Sequence, residues 1–317
     1  MAMLLERAPD LAPPRPVPLV SGTSPVRPLD LAGCAPGRVW VWDESTIGGN
    51  KIRKLEWLLG DAVAAGRRGA ILCGPTGSNW VDAAVRETRR IGLAARVVLF
   101  PKPTPPYALR NRARTRAAAD EVVSVPTVVL LPSACWSMLR RHPDHALFPP
   151  GGSSVRGSLG HVGAALELEA RVEAGDLPVP SWIFVAAGSG GTAAGLAAGL
   201  ELTRLPTRVA AVRVTDLALM NAPLLSTMAH RILAHVARTR ARGVPRRLRP
   251  DRLTLLHDWF GAGYALPTEE AHRAVAAAEP CRLALETTYT GKALAALLSR
   301  AGSLDGPLLY WHSFGGG

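Results

Sequence analysis

Cysteine is sparse in this chain. Its four residues, Cys34, Cys73, Cys135 and Cys281, are scattered and form no Cys-x-x-Cys pair. Neither a disulfide framework nor a zinc site is indicated, and no metal is expected. Long apolar runs are also missing. The first ten residues carry no stretch long enough for a signal sequence, and nothing later approaches the length of a membrane span. A cytoplasmic protein with no membrane partner is therefore expected. No internal repeat is visible. No DNA- or RNA-binding motif accompanies the formal charge of +12, which comes mostly from arginine spread along the chain, crowded at Arg110 to Arg116 and Arg238 to Arg249. Charge of this kind speaks to solubility and non-specific attraction of phosphate, so nucleic acid is not expected as the partner.

What is present suits a globular enzyme. A chain of 317 residues, 48% hydrophobic and 20% charged, can bury one large core or two medium ones. Residues 11–37 are proline-rich and read as loop. Arg38 to Asp43 alternates and reads as a strand, as do the apolar runs Gly69 to Gly74 and Leu93 to Phe100. Glu121 to Val125, Thr127 to Leu131, Trp182 to Ala187 and Val209 to Val214 supply further strands. Helical patterns fall between them at Trp57 to Gly66, Val81 to Arg90, Ala108 to Asp120, Gly160 to Glu169 and residues 218–243. Leu147 to Ser154 breaks regular structure. Such alternation predicts an α/β fold with parallel-strand-rich sheets wrapped by helices.

Three stretches carry chemistry. Gly48-Gly49-Asn50-Lys51 runs into a helix, which places Lys51 at a helix start. Unpaired peptide N–H groups there are electropositive and lower the pKa of a nearby amine. A neutral lysine can bond an aldehyde cofactor; the alternative is a solvated helix face. Ser78-Asn79 follows a strand and a glycine turn and opens a helix, a place where N–H groups and short side chains bind a carboxylate or phosphate. A plain N-cap serine is the alternative. Gly188-Ser189-Gly190-Gly191-Thr192 likewise joins a strand to a helix and suits a phosphate cup. It is not a dinucleotide fingerprint, because Ala193 stands where the third glycine belongs.

Together these residues resemble a known family. Gly-Gly-Asn-Lys-x-Arg-Lys-Leu-Glu, from Gly48 to Glu56, is similar to the cofactor-lysine signature of the pyridoxal-phosphate enzymes that include 1-aminocyclopropane-1-carboxylate deaminase and D-cysteine desulfhydrase. The likeness extends over roughly residues 24 to 316. It takes in Pro149-Pro150-Gly151-Gly152-Ser153, Gly261-x-Gly263-Tyr264, Tyr289-Thr290-Gly291-Lys292 and the final His312-Ser313-Phe314-Gly315-Gly316.

The resemblance implies fold type II, with residues 1–59 and 161–317 as the large cofactor-binding domain and 60–160 as the small one. It also implies a homodimer, a small amino-acid substrate and pyridoxal 5'-phosphate in the cleft. Lys51 would hold the aldehyde and act as acid or base at Cα, with Ser78 and Tyr289 as further catalytic groups. Lys54 and Gly188, Ser189, Gly190, Gly191 and Thr192 would hold the phosphate. Asn79, Thr290 and Ser313 would complete the cofactor's contacts, and Ser78, Asn79, Trp80 and Tyr264 would meet the substrate. His161 reads as structural. Thr290 stands where a carboxylate would keep the ring nitrogen protonated; a neutral hydroxyl leaves a weaker electron sink and argues against the deaminase. The expected activity is a D-cysteine desulfhydrase-like α,β-elimination giving pyruvate and ammonia. The alternatives are the cyclopropane deaminase and a cofactor-binding biosynthetic relative with redirected or lost chemistry. Trp80, where the family commonly has histidine or glutamine, is expected to disfavour small polar substrates.

Overall fold

The computed structural model describes residues 2–11, 14–103, 105–239, 244–245 and 247–313. Two sheets organise it. The larger has the order β1-β2-β10-β7-β8-β9, with β1 Val26–Leu29, β2 Val39–Asp43, β7 Trp182–Ala187, β8 Arg208–Arg213, β9 Leu253–Leu256 and β10 Leu308–His312. Only β1 is antiparallel to its neighbour; the other pairs run parallel, Ile183 opposite Val209 for example. The smaller sheet is wholly parallel in the order β5-β4-β3-β6. Its strands are β3 Gly69–Pro75, β4 Ala94–Phe100, β5 Glu121–Ser124 and β6 His145–Phe148.

Both sheets are covered on both faces, which is why β3 and β10 read as apolar runs rather than alternating ones. Helices α6 (Val155–Glu173), α7 (Gly191–Leu200) and α8 (Ala222–Ala237) close one core on the large sheet, and α9 (Glu269–Ala278) and α10 (Thr290–Arg300) close the other. On the small sheet, α2 (Asn50–Ala64) and α3 (Asn79–Arg90) cover one face, and α5 (Leu131–Arg141) covers the opposite one. Helix α4 (Pro106–Ala118) lies beside α3. Helix α2 packs on both α6 and α3 and so ties the two sheets together. Indole stacking of Trp42 on Trp311, at 4.8 Å between centroids, couples β2 to β10.

Three expectations need correction. Thr127 to Leu131 is not a strand: Val128–Leu130 forms a 3-10 turn and Leu131 opens α5. Pro132 in the first turn of α5 favours a helix start, and the β-branched run has no strand to pair with beyond β5. Val26–Leu29, inside the stretch read as loop, pairs with β2, its proline tolerated on an edge strand. Leu147 and Phe148 finish β6 instead of breaking regular structure. The helix expected over 218–243 spans Ala222–Ala237, and residues 240–243 lie outside those described. Phe314 to Gly316 also lie outside them. Among the described residues no helix is long and apolar enough to cross a membrane.

Candidate active site

Parallel strands deliver their carboxyl ends to one side of a sheet, where ligands of α/β folds collect. Here both sheets aim those ends at one cavity of about 370 Å³. The segments after β2, β3, β4, β6, β7, β8 and β10 all contribute to its wall.

Lys51 enters after β2. Gly48 and Gly49 have φ of 89° and 86°, a left-handed turn that glycine adopts without strain, and Gly49 caps α2. Lys51 Nζ donates to Asn50 Oδ1 at 2.9 Å, and Asn50 Nδ2 donates to Thr192 Oγ1 at 2.9 Å. Burial lowers the Lys51 amine to about 8, although the charge of Glu44 opposes the shift. Glu44 lies beneath, wholly buried, with Arg53 Nε at 2.6 Å and His161 Nε2 at 3.7 Å. Burial alone would raise its carboxyl; His161 and Arg53 outweigh that and hold it at about 2.

The loop after β7 forms a cup. Gly190 has φ of 77°, and a Cβ there would come within 2.6 Å of Met220. A Cβ on Gly191 would reach Ser153 Oγ at 2.5 Å and Lys54 Nζ at 3.0 Å. Around the cup, Lys54 Nζ donates to Ser153 Oγ at 3.0 Å and to the Gly151 carbonyl at 3.1 Å, while the Ser153 and Ser189 hydroxyls meet at 2.7 Å. Burial first, and then the charge of Lys51, pushes the Lys54 amine well below its ordinary range. A bound dianion would reverse that shift. The cradle therefore fits a phosphate group: peptide N–H groups, hydroxyls and a buried amine short of negative charge, closed to any side chain.

Ser78 caps α3, its Oγ accepting from the peptide nitrogens of Trp80 (3.1 Å) and Val81 (3.4 Å). With its lone pairs so used, its proton remains to donate into the cavity. Asn79 Oδ1 accepts from Asn111 Nδ2 at 2.6 Å. Trp80 adjoins the cavity but is only 2% exposed, packed in the core with Leu58. A Cβ on Gly152 would come within 2.6 Å of its ring. Opposite, the Tyr264 and Tyr289 hydroxyls contact each other, their rings edge to face at 6.1 Å. Burial, reinforced by neighbouring tyrosines, raises the Tyr289 hydroxyl well above its usual range, so it stays protonated. Thr290 Oγ1 donates to Glu286 Oε1 at 3.0 Å. Ser313 also lines the cavity, and its carbonyl accepts from Asn50 N at 3.1 Å. All the expected site residues except Gly191 thus border one cavity, and Gly191 sits in the cup through its peptide N–H, bonded to Ser153 Oγ at 3.2 Å.

Lys102, Tyr107, Asn111 and Ser153 were not expected and also border it. One signal pointed to Lys102. The chain has four lysines against thirty-three arginines, and Lys51, Lys54 and Lys102 all line this cavity. Lys102 Nζ pairs with Asp216 at 2.8 Å and lies 4.9 Å above the Tyr264 ring.

A cleft between two α/β layers, with a lysine of lowered pKa beside a phosphate cradle, defines the class, and comparison with known proteins gives its family. Residues 17–313 match the model of the pyridoxal-phosphate dependent enzymes, and the chain belongs to that family. Its cofactor is pyridoxal phosphate, and its fold is that of the type II enzymes. The chain is 32% identical to nocardicin C-9' epimerase of Nocardia uniformis subsp. tsuyamanensis over 94% of its own length and 91% of that protein. It is 30% identical to D-cysteine desulfhydrase of Salmonella paratyphi A, covering 94% and 93%. A crystal structure of an ACC deaminase homologue superposes with a TM-score of 0.81 at 27% identity, covering 99% of this chain and 94% of that one.

Proposed function

We propose that this enzyme removes the α-proton of an amino-acid substrate and then expels a β-substituent, giving pyruvate and ammonia in the manner of a D-cysteine desulfhydrase. The observation that carries the reading is the Lys51 amine, its pKa lowered by burial to about 8, bordering the same cavity as the Gly188–Thr192 cradle and the Ser78–Asn79 turn. Lys51 would hold the cofactor aldehyde, and Lys54, Ser189 and the Gly190–Thr192 segment its phosphate. When bound, pyridoxal phosphate supplies the electron-withdrawing ring that stabilises charge left at Cα. The Ser78 hydroxyl and the first N–H groups of α3 orient the substrate carboxylate. Lys51 Nζ would take the Cα proton. Tyr289, kept protonated by burial, supplies a proton to the leaving group.

A second reading, epimerisation at Cα, shares the first proton transfer. It is favoured by the extent of the cavity, which runs along α3 past the carboxylate turn to Arg86, and by the named activity of the Nocardia relative. One experiment separates the readings: incubate the holoenzyme with D-cysteine and β-chloro-D-alanine in D2O. Pyruvate release supports elimination; deuterium at Cα with inversion and no pyruvate supports epimerisation; no Cα exchange with any amino acid would falsify both.

A further inference from the structure

The cavity does not end where a small substrate would. Along α3 it is lined by Asn79, Asp82, Ala83 and Arg86, spaced as one face of a helix. Along α4 it is lined by Tyr107, Asn111 and Arg114, again one face. The two faces form a groove leading from the Ser78 cap. Arg86 lies eight positions along the helix from Ser78, a rise of roughly 12 Å. A cysteine side chain, which ends one bond beyond Cβ, leaves most of that length unused.

The chemistry changes along the groove. Val128 and Leu131 add apolar surface to the same cavity, and Val128 is 43% exposed. At the far end stand two guanidinium groups. Arg114 grips Asp82 with Nε and Nη2 at 3.1 and 3.0 Å and donates to Asn111 Oδ1 at 2.6 Å. Arg86 donates to Glu87 at 3.0 Å, and its approach to Asp82 is 3.9 Å. Each retains N–H groups beyond these bonds, and their side chains are 52% and 44% exposed for Arg86 and Arg114 respectively. Asp82 and Arg114 offset each other in this fork, and Glu87 pairs with Arg86 and with Arg90 at 2.7 Å. Helices α3 and α4 together carry seven arginines against Asp82 and Glu87, so the groove's end has a positive field.

We propose that the substrate is an α-amino acid with an extended side arm ending in an anionic group; in the elimination this arm is the β-substituent that leaves, and in epimerisation it stays attached, as it does in the extended test compounds below. The arm lies in the α3–α4 groove, and its end meets Arg86 and Arg114. This rests on the reading of Ser78 and Asn79 as the carboxylate turn, and it names the substrate class of that same site. Arg86 and Arg114 are specificity residues, and the forked donors of arginine suit a carboxylate or phosphate end.

The test uses the holoenzyme and its visible absorbance as a binding readout, with both enantiomers of 2-aminopimelate, its ω-amide, the phosphonate-ended analogue and D-cysteine. The diacid is expected to bind at least ten-fold more tightly than the amide. Arg86→Gln is expected to weaken the diacid about ten-fold and the amide less than two-fold, with Arg86→Lys intermediate. The phosphonate arm tells a phosphate-ended substrate from a carboxylate-ended one. Equal binding of diacid and amide, or an Arg86→Gln variant that weakens both alike, overturns the proposal. Proton exchange at Cα is followed in the same samples. Tight diacid binding without exchange leaves the groove standing and sinks the α-proton reading; exchange with D-cysteine but no preference for the diacid does the reverse. If no amino acid perturbs the absorbance, both fail.

Discussion

Asn50 Nδ2 donates to Thr192 Oγ1 at 2.9 Å, joining two loops 142 positions apart in the chain. The same side chain accepts from Lys51 Nζ through its oxygen. One amide therefore sets the distance between the lysine that would hold the cofactor aldehyde and the cradle that would hold its phosphate.

Replacing Lys51 is the most direct check. Lys51→Ala removes an amine whose hydrogen bond goes to the neighbouring Asn50, while α2 is held by its other, buried residues, so circular dichroism should be unchanged. The visible band of lysine-bound cofactor should vanish, and borohydride should no longer fix cofactor to protein. A yellow, reducible adduct in this variant would point to Lys54, Lys102 or Lys292 instead.

The rate of cofactor capture should depend on pH with the Lys51 amine. Its pKa is depressed to about 8, so the nucleophilic neutral form falls about ten-fold for each pH unit below that value and levels off above it. Mixing apoenzyme with pyridoxal phosphate between pH 6 and 9.5 and following absorbance should give a rising curve with its midpoint near 8. A midpoint above 10 would mean that burial does not act on Lys51 in solution.

Gly190→Asp should empty the cradle. The position has φ of 77° and Met220 within 2.6 Å of any Cβ, and the new carboxylate would repel a phosphate. Cofactor affinity should fall at least a hundred-fold by equilibrium dialysis. Unchanged retention would remove the loop from the phosphate site.

Glu44 links stability to acid. Its folded carboxyl titrates at about 2, below its ordinary 4.5. The contribution is complete above pH 4.5 and is lost as pH falls towards 2. Glu44→Gln leaves Arg53 buried with only Glu167 as its carboxylate partner and should cost about 3–5 kcal/mol in urea melts at pH 7. A loss under 1 kcal/mol would show that the pair is not coupled to folding.

Trp80→His should destabilise the protein by about 2–4 kcal/mol, because it hollows the packing against Leu58 and Gly152. The sequence suggested that the indole meets the substrate and disfavours small polar ones such as D-cysteine, which would make histidine the better residue there. Its burial predicts no gain beyond two-fold in kcat/KM, and a ten-fold rise would place the ring against the substrate after all.

The turns that bring the candidate site residues to the cavity were legible because their requirements are local. Gly48 and Gly49 turn the chain into a helix start, Ser78 caps α3, and Gly190 opens the turn into α7; each follows from the φ angles of glycine or from the unpaired N–H groups of a first helical turn, which neighbours in sequence decide. The β/α alternation was legible for the same reason, through apolar runs buried on two faces. Thr127 to Leu131 misled because a β-branched run makes a strand only where a partner strand exists, and that is a property of the sheet edge.

What only the tertiary structure decided is where those local pieces meet and what surrounds them. The lowered pKa of Lys51 comes from burial, and the low carboxyl of Glu44 comes from partners that outweigh its burial, His161 on α6 and Trp311 on β10, both more than a hundred residues away, together with Arg53 on α2. The burial of Trp80 depends on Gly152 arriving above it. The groove that ends at Arg86 and Arg114 exists because α3 and α4 pack side by side, turning scattered surface arginines into one wall of the cavity. Spacing along the chain encodes a helix face, but packing of the whole chain determines what that face looks upon.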